Sequence, residues 1–515
     1  MERGNCGIVI NNRLNEPCFV AAMPHYDIFP PMSLLSQFQS RWSKPNGYGD
    51  VLRISLPMVI SMGSHTVMLF TDRLFLGHYS LDAIAAATPS GMLAFMFMCF
   101  FTGIVGFNNT FVAQYIGAGA PRRVGCALWQ TLYFSVGAGM ILAALSPIGG
   151  PIFRMAGHEP EVQKLESVYF AILMLGSIFP LLHDGLASFY SGRGLTRVIM
   201  VINLIGMTVN IPLNYMLING LYGLPELGVA GSALATVTSH GVMLILFVLV
   251  VFRNKNEAVY GVRSRRRFDR ELFARLLKFG TPAGLQFFME MFAFTFFLLM
   301  IGRLGRNELA ATNMAFALNT LCFMPMIGFA IAVSTLVGQA IGRGRPEDGV
   351  TATHSALHLT CAYMWTVALI FVLLPTPLCN IFQSPGQDPA EFAAVRSMAV
   401  VLLRFVALYS ILDTFNVIYS GTLKGAGDTQ FIGWTVLILT STVMVVPIYL
   451  ALVWFHAGLY TAWSFATAYV CLMAFIFYIR YRQGRWKTML VIEGRRPAAD
   501  LVVSRPGVPG TDELY

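Results

Sequence analysis

Charge is scarce in this chain, because only 12% of its 515 residues are Asp, Glu, Lys or Arg, whereas 56% are hydrophobic. Such a composition lies outside the soluble globular class. The apolar segments are roughly 20 residues or longer and do not alternate with period two, which argues against a β-barrel. Composition therefore predicts an all-α polytopic membrane protein.

Several motifs of soluble chemistry are also absent from the sequence. The eight cysteines form no Cys-x-x-Cys pair and lie mostly in apolar segments, so we expect no disulfide framework. There is no Gly-x-x-x-x-Gly-Lys-Ser/Thr loop, which disfavours an ATP-driven pump, and no His-Glu-x-x-His or Gly-x-Ser-x-Gly, which disfavours a membrane-embedded enzyme. The net charge of +9 is spread over loops, so we expect no nucleic-acid partner, and we expect no cofactor.

What the chain has in abundance is apolar sequence of spanning length, in about twelve segments. They run at about 51–76, 83–117, 124–147, 165–190, 196–220, 228–252, 279–302, 308–342, 350–374, 396–422, 430–452 and 458–480. The predicted domains are a disordered cytoplasmic tail (1–48), a six-helix lobe (49–252), a basic linker (253–278), a second six-helix lobe (279–482) and a cytoplasmic tail (483–515).

Basic residues mark one side of the predicted membrane. The linker carries Arg263, Arg265, Arg266, Arg267, Arg270 and Arg275. Every second loop lies on the same side as the linker and is also basic, at Arg122, Arg123, Arg193, Arg197, Arg343, Arg345, Lys424, Arg480, Arg482, Arg485 and Lys487. The opposite loops carry Asp82, Glu226, Asp388 and Glu391, with Arg154, Arg303 and Arg306 as basic exceptions. By the positive-inside rule, both termini are predicted to be cytoplasmic.

The two halves of the chain repeat each other. Val112–Gly117 reappears as Val337–Gly342 at an offset of 225 residues, and the same offset relates Pro57 to Pro282. Later, the Tyr-Ser-Gly that begins at Tyr190 matches Tyr419-Ser420-Gly421 at a slightly larger offset. Six helices return a chain to its starting side, so these are parallel repeats, as in many secondary transporters. A substrate site between two lobes is the expected consequence.

Two acidic residues interrupt the apolar sequence of the second half. Glu290 lies near the middle of a spanning segment, and Asp413 lies in another with Tyr409 one helical turn before it. A carboxylate at that depth costs roughly 2.5 to 3.5 kcal/mol on insertion scales, so each is a functional-site candidate. Carboxylate, phenol and carbonyl oxygens suit Na⁺, while two neighbouring acids also suit shared protons. Both coupling ions remain open.

Several motifs together resemble the multidrug and toxic compound extrusion (MATE) family. The resemblance spans about 50–482 and depends on their order and spacing. It is carried by Phe111-Val112-Ala113-Gln114-Tyr115-Ile116-Gly117, its copy Ser334-Thr335-Leu336-Val337-Gly338-Gln339-Ala340-Ile341-Gly342, Met324-Pro325, Asn210-Ile211-Pro212-Leu213-Asn214-Tyr215, Gly223-Leu224-Pro225-Glu226-Leu227-Gly228 and Gly421-Thr422-Leu423-Lys424-Gly425-Ala426-Gly427-Asp428-Thr429.

The resemblance implies two six-helix lobes in a V shape and cation-driven export of organic cations by a rocking exchange of access. In NorM-type members, a glutamate in the seventh helix and a tyrosine and aspartate in the tenth form the second-lobe cation site, which matches Glu290, Tyr409 and Asp413. An aspartate late in the first helix corresponds to Asp72. DinF-type members carry a fifth-helix aspartate where this chain has Asn214, which argues against proton coupling centred on the first lobe.

Further residues are candidates for the substrate path, each with a structural alternative. Asp72, beside Arg73, suits either substrate contact or a helix-end role, and Asp184 follows His183 near the end of a span. Neighbours on a helix diverge by about 100°, so we expect these last two not to act as a pair. Asn210, Asn214 and Phe287 complete the candidates, whereas His65 and His240 are interpreted as separate packing residues.

The leading hypothesis is a secondary antiporter that exports drugs or other organic cations in exchange for Na⁺ or H⁺. If sodium is the coupling ion, Glu290 and Asp413 are its predicted ligands. A lipid-linked precursor flippase of related fold is the alternative in the transport class, although it would place cationic residues in the cavity. We expect a monomer surrounded by lipid in a bacterial inner membrane.

Overall fold

The computed structural model describes residues 41–156, 159–383 and 389–493, and within these ranges it contains helices and no β-strand. Most of the predicted N-terminal tail, over 1–40, lies outside the described residues, as do 494–515 of the C-terminal tail and Asp388.

Within the described residues, the first lobe contains nine α-helices separated by short turns, with a short 3₁₀ helix at Ser146–Ile148 between the fourth and the fifth. They are α1 (Tyr48–Tyr79), α2 (Leu81–Gly106), α3 (Asn108–Gly117), α4 (Pro121–Ala144), α5 (Gly149–Ala156), α6 (Pro160–Leu175), α7 (Ile178–Ser191), α8 (Thr196–Asn219) and α9 (Val229–Val251). A short helix, α10 (Asn254–Tyr260), lies in the linker.

The second lobe begins with three long helices and ends with an irregular pair. Its elements are α11 (Arg270–Gly302), α12 (Arg306–Arg343), α13 (Pro346–Leu373), α14 (Pro375–Asn380), α15 (Pro389–Ala426), α16 (Thr429–Leu439), α17 (Val446–Tyr449) and α18 (Leu459–Arg482). Two π-helical stretches, Thr440–Val445 and Leu450–Trp454, flank α17 and continue the span of α16.

Twelve membrane spans are present in the described residues when one bent pair is counted as a single span. Eleven are continuous by length and apolar composition, and α6 with α7 forms a further span bent by 40°. The bend lies at Gly176, where the chain passes close to Val237. Pro180 has no N–H to donate to the Gly176 carbonyl, so the helical ladder is interrupted there. The prediction of about twelve spanning helices is confirmed.

Helix α11 begins inside the predicted linker of 253–278. Asp269 accepts a hydrogen bond from the Leu272 N–H at 3.1 Å and so caps α11, which begins at Arg270. Arg123, at the start of α4, binds Asp269 at 3.0 Å and fastens the linker to the first lobe. We call the membrane side that carries this linker the linker side.

The two lobes meet through glycines related by the repeat. A Cβ on Gly103 of α2 would lie 2.6 Å from the Gly284 Cα of α11. One repeat later, a Cβ on Gly328 of α12 would lie 3.0 Å from the Val59 nitrogen of α1. Since 103 + 225 = 328 and 59 + 225 = 284, both contacts obey the same pseudo-twofold relation, as expected of two parallel repeats.

Burial shows that the lobes are joined on the linker side. Every residue from Phe107 to Tyr115 is buried, as is every residue from Ala332 to Gly338, so these segments are enclosed on all faces. Toward the opposite side, α2 buries one face only, at Ala83, Ala87, Ser90 and Ala94. Helix-spaced burial of this kind leaves the remaining faces to lipid or to a cavity.

The described part of the C-terminal tail crosses between the lobes. Trp486 is buried and stacks on Tyr481 of the second lobe, whereas Val491 and Ile492 pack into the hydrophobic core of the first. Glu493 then binds Arg123 and accepts a hydrogen bond from the Tyr115 hydroxyl at 2.9 Å. This segment therefore contacts both lobes on the linker side.

Candidate cation and substrate sites in the two lobes

The predicted acids of the second lobe each have an amide partner. Glu290 is partly buried on α11, and the Gln286 side chain one turn earlier donates to its Oε1 at 2.8 Å. Asp413 is partly buried on α15, and Asn416 donates to its Oδ1 at 2.9 Å. Each acid keeps its second carboxyl oxygen for another partner.

The fold brings these acids into one electrostatic neighbourhood. The charge of Glu290 acts on Asp413, and both act on Tyr469 of α18. Tyr409 is buried one turn from Asp413 on the same helix and interacts with it. The three residues predicted from sequence therefore lie together in the second lobe.

A positively charged side chain also interacts with this site. Lys424, near the end of α15, interacts electrostatically with Glu290. The sequence assigns Lys424 only to a linker-side loop, because nothing in its own helix indicates that it faces α11.

Unpaired oxygens in the second lobe fit a cation. Gln286 Oε1 and Ser410 Oγ are buried and have no hydrogen-bond partner among the described residues. Together with the two carboxylates and the Tyr409 hydroxyl, they offer the oxygen donors that Na⁺ prefers. The described residues contain no group of three His, Cys, Asp or Glu side chains suited to a metal, so a bound ion would need these neutral oxygens.

Asp72 forms the polar centre of the first lobe. It is only 3% exposed, and it accepts hydrogen bonds from Asn214 of α8 and from Thr236 of α9, the latter at 3.2 Å. Both side-chain atoms of Asn210 are buried without a partner among the described residues. Arg73 faces away and donates to Thr88. Asp72 thus lies within the lobe and does not act as a helix-end residue.

The prediction that His183 and Asp184 diverge is wrong. His183 Nδ1 lies 2.9 Å from Asp184 Oδ1, because adjacent side chains on a helix can fold toward each other even though their Cα–Cβ bonds diverge. The Asp184 side chain is 35% exposed and the His183 side chain 9%. His65 and His240, interpreted separately from sequence, lie beside this pair.

Phe287 lies where the lobes face each other. Its ring makes an edge-to-face contact with Phe95 of α2, with centroids 6.0 Å apart. Such a pair is part of the apolar contact between α2 and α11. Phe287 therefore lies at this boundary, one turn before Glu290, and its place in the substrate path stays a prediction.

Several site residues were missed by the sequence analysis. Gln286 could have been found, because it lies four residues before Glu290 on the same helical face, and Asn416 follows Asp413 by three. Thr236 and Tyr469 carry no such signal, since each reaches its acid from another helix.

Comparison with known proteins identifies the family of this transporter. The MatE family model matches residues 57–216 and 282–453, more than half of the chain, and the chain belongs to this family. A protein named probable multidrug resistance protein NorM from Thermotoga maritima is 25% identical over 90% of this chain and 98% of its own length. One of the same name from Pseudomonas putida is 30% identical over 74% and 82%.

Solved structures agree in fold. A structure described as the outward-facing conformation of a multidrug resistance MATE family transporter has a TM-score of 0.77 and 21% identity over 87% of this chain and 98% of its own. A MATE complex with MaL6 has a TM-score of 0.78 and 20% identity over 88% and 99%. The chain is therefore a multi-pass integral membrane transporter of the NorM-like type and not an enzyme.

Proposed function

We propose that this protein exports drugs and other organic cations in exchange for Na⁺ or H⁺, and that Glu290 and Asp413 are the coupling groups. The observation that carries the proposal is their shared neighbourhood in the second lobe, each with one amide donor. The multidrug resistance names of the relatives support the substrate class.

The exchange follows from differential affinity. The lobes are joined on the linker side, which corresponds to a closed cytoplasmic entrance if both termini are cytoplasmic. Cation binding at Glu290 and Asp413 from outside would favour substrate release, and substrate loading from the cytoplasm would displace the cation. A ligand shifts such an equilibrium only by as much as its affinities for the two states differ.

Sodium and protons remain the two candidate coupling ions. The unpaired Gln286 Oε1 favours a cation that needs neutral oxygen ligands, and Tyr409 would supply a further oxygen. A proton would instead need only the two carboxyl groups, which repel each other when both are charged. The substrate would pass between the lobes near Phe287, with Asp72, Asp184, Asn210 and Asn214 as first-lobe contacts. We further propose a monomer in a bacterial inner membrane.

Efflux from energised vesicles tests the proposal. A fluorescent organic cation is loaded, sodium and proton gradients are imposed separately, and export is compared for the parent, Glu290→Gln and Asp413→Asn. Either substitution removes a charge but keeps side-chain size, so we expect gradient-driven export to fall at least about tenfold, equal to about 1.4 kcal/mol. The ion whose gradient alone drives export is the coupling ion.

Glu161→Gln is the matched control, because Glu161 is exposed in the first turn of α6. It should export at the parental rate. Undiminished export by the Glu290 and Asp413 variants would overturn the proposal. Export of lipid-linked anions without response to organic cations would favour the flippase alternative, for which Lys424 would be the cationic contact.

A further inference from the structure

The repeat relates the second-lobe acids to ionisable residues in the first lobe. With the 225-residue offset of Val112 and Val337, Glu290 corresponds to His65, since 290 − 225 = 65. With the offset of Tyr190 and Tyr419, which is 419 − 190 = 229, Asp413 corresponds to Asp184. The first lobe therefore carries a histidine and an aspartate where the second carries a glutamate and an aspartate.

The structure gathers these counterparts with two further histidines. The His65 and His240 ring centroids are 6.5 Å apart, and those of His183 and His240 are 6.1 Å apart. Asp184 interacts electrostatically with His65 and His240 and directly with His183. We call His65, His183, His240 and Asp184 the first-lobe histidine cluster.

The hydrogen bonds of His183 are those of a charged imidazole. Its Nδ1 faces the Asp184 carboxylate at 2.9 Å, and its Nε2 faces the Asn203 Oδ1 at 3.0 Å. With the Asn203 amide in this orientation both partners are acceptors, and an imidazolium, which donates from both ring nitrogens, satisfies both contacts. The Asn203 amide nitrogen is used elsewhere, because it donates to the Ser61 hydroxyl at 2.7 Å.

The same contacts also accommodate neutral His183. If the Asn203 amide turns over, its nitrogen donates to Nε2 and its oxygen accepts from the Ser61 hydroxyl, which can serve as donor or acceptor. His183 then keeps its Nδ1–H bond to Asp184. Neither protonation state leaves a ring nitrogen of His183 without a partner, so proton gain and loss cost no buried hydrogen bond.

The neighbouring groups limit the cluster to one proton. His240 Nδ1 donates to the Thr236 carbonyl at 2.9 Å, a bond that either charge state of this ring can make, but a second imidazolium beside His183 would be repelled. Asp184 is the negatively charged group that faces His183, and the neutral Asn203 faces it from α8. Asp72 on α1 is connected to His240 through Thr236, which donates to Asp72 from its hydroxyl and accepts from His240 at its carbonyl. The Asp184 side chain is more exposed than that of His183.

We propose that the first-lobe histidine cluster is a proton-binding site in which His183 carries the proton between Asp184 and Asn203. The ligand is H⁺, and its binding changes the charge of the first lobe. The repeat relates His65 and Asp184 to Glu290 and Asp413, and a functional interpretation of this relation rests on the coupling role proposed above for Glu290 and Asp413. The hydrogen bonds of His183 do not depend on that role.

Nuclear magnetic resonance of the full chain labelled with ¹⁵N-histidine tests the site directly. The His183 signals are identified by their loss in His183→Gln, and the protonation of both ring nitrogens is followed from pH 5 to 9. Asp184→Asn should move the His183 midpoint to lower pH, and Asn203→Asp, which adds a second facing carboxylate, should move it to higher pH. A carboxylate at hydrogen-bond distance shifts such a midpoint by roughly one to three pH units.

His78→Gln is the matched control, because His78 lies on α1 with Nδ1 2.7 Å from the Leu74 carbonyl but outside the cluster. It should remove its own signal and leave that of His183 unmoved. A His183 ring that stays singly protonated throughout, or a midpoint indifferent to both Asp184→Asn and Asn203→Asp, would overturn the proposal. Circular dichroism of each variant confirms that it is folded.

Vesicle efflux separates this inference from the proposed transport function. We expect Asp184→Asn to change the pH dependence of export between pH 6 and 8, while Glu290→Gln removes export at every pH. If Glu290→Gln exports normally but His183 titrates as described, the transport proposal fails and the proton site stands. If His183 does not titrate while Glu290→Gln is inactive, the reverse holds.

Discussion

The contacts between the two lobes are nearly symmetric, whereas their polar interiors are not. On the linker side, a Cβ on Gly117 would lie 2.1 Å from the Gln339 carbonyl oxygen, and a Cβ on Gly342 would lie 2.1 Å from that of Gln114. Inside the lobes, the acid of α1 is Asp72, but the residue at the same place in α11 is Phe297.

This difference separates what the repeat preserves from what it varies. Close helix crossings need small residues at fixed places, so both copies keep glycine where backbones touch. Burial of a charged group inside a membrane costs free energy unless polar partners surround it. A charged residue that differs between the lobes must therefore differ together with its polar partners. Substitution of two identical residues that the repeat relates should therefore lower the stability of the protein by similar amounts. Substitution of residues that differ between the lobes should lower it by different amounts.

A large effect of equal size is expected from each of the paired glycines. Gly117→Ala and Gly342→Ala each place a methyl group against a backbone carbonyl, and overpacking of this kind typically costs about 1–3 kcal/mol. We expect the two variants to lose similar amounts of thermal stability in mild detergent. Gly137→Ala is the control, because nothing lies within 4 Å of the added Cβ. A large inequality between the two variants would break the symmetry argument.

The buried acids should show the opposite behaviour. Asp72→Leu leaves the donors of Asn214 and Thr236 unpaired, whereas Glu290→Leu leaves only that of Gln286. An unpaired buried donor costs about 1–3 kcal/mol, so Asp72→Leu should be the less stable variant in thermal unfolding. Equal stability of the two would show that Asp72 is not the structural centre of its lobe.

The two glutamines offer a finer test. Gln114 donates to the carbonyls of Gly425 and Ala426 and accepts from the Val491 N–H, whereas Gln339 donates to the Gly192 carbonyl and accepts an exposed bond from Arg343. At about 1 kcal/mol per hydrogen bond, Gln114→Ala should destabilise the protein more than Gln339→Ala. Removal of the tail after Lys487 should reduce the difference in stability between the Gln114→Ala and Gln339→Ala variants, because it removes Val491. An unchanged difference would mean that the contact between Gln114 and Val491 does not stabilise the protein.

The smallest effect is expected from Glu493 and depends on pH. Burial opposes ionisation of Glu493, but hydrogen bonds from its own backbone N–H, from Arg123 and from Tyr115 outweigh it and hold its pKa below the ordinary value. Its contribution is thus complete above that ordinary value, about 4.3, and is lost as the pH falls through the lower folded-state pKa.

Glu493→Gln should lower stability near neutral pH by about 0.5 kcal/mol, because the ion pair with Arg123 is about a third exposed. The difference in stability between the parent and Glu493→Gln should be smaller at acidic pH. Thermal unfolding of both proteins at pH 7 and at pH 4 measures this difference. A difference that grows toward acid would contradict the assigned sign.

Much of the fold could be predicted from sequence because membrane spans are local. Length and apolar content alone indicate a span, and a buried acid is conspicuous within one, as Glu290 and Asp413 were. Lys424 and Thr236 could not be predicted, because their partners lie on other helices. His65 and His240 were treated as separate residues for the same reason, and the pairing of His183 with Asp184 depends on rotamers that helical geometry leaves free.

The sequence by itself determined that the chain spans the membrane about twelve times, that its halves repeat, and that acids lie within apolar segments. Each is a property of residues near one another along the chain, where lipid leaves the backbone little choice but a helix. Only the tertiary structure decided that Lys424 and Tyr469 interact with Glu290, that Asp72 is bound by Asn214, and that three histidines from three helices form one cluster. Those contacts depend on how the helices rotate and cross.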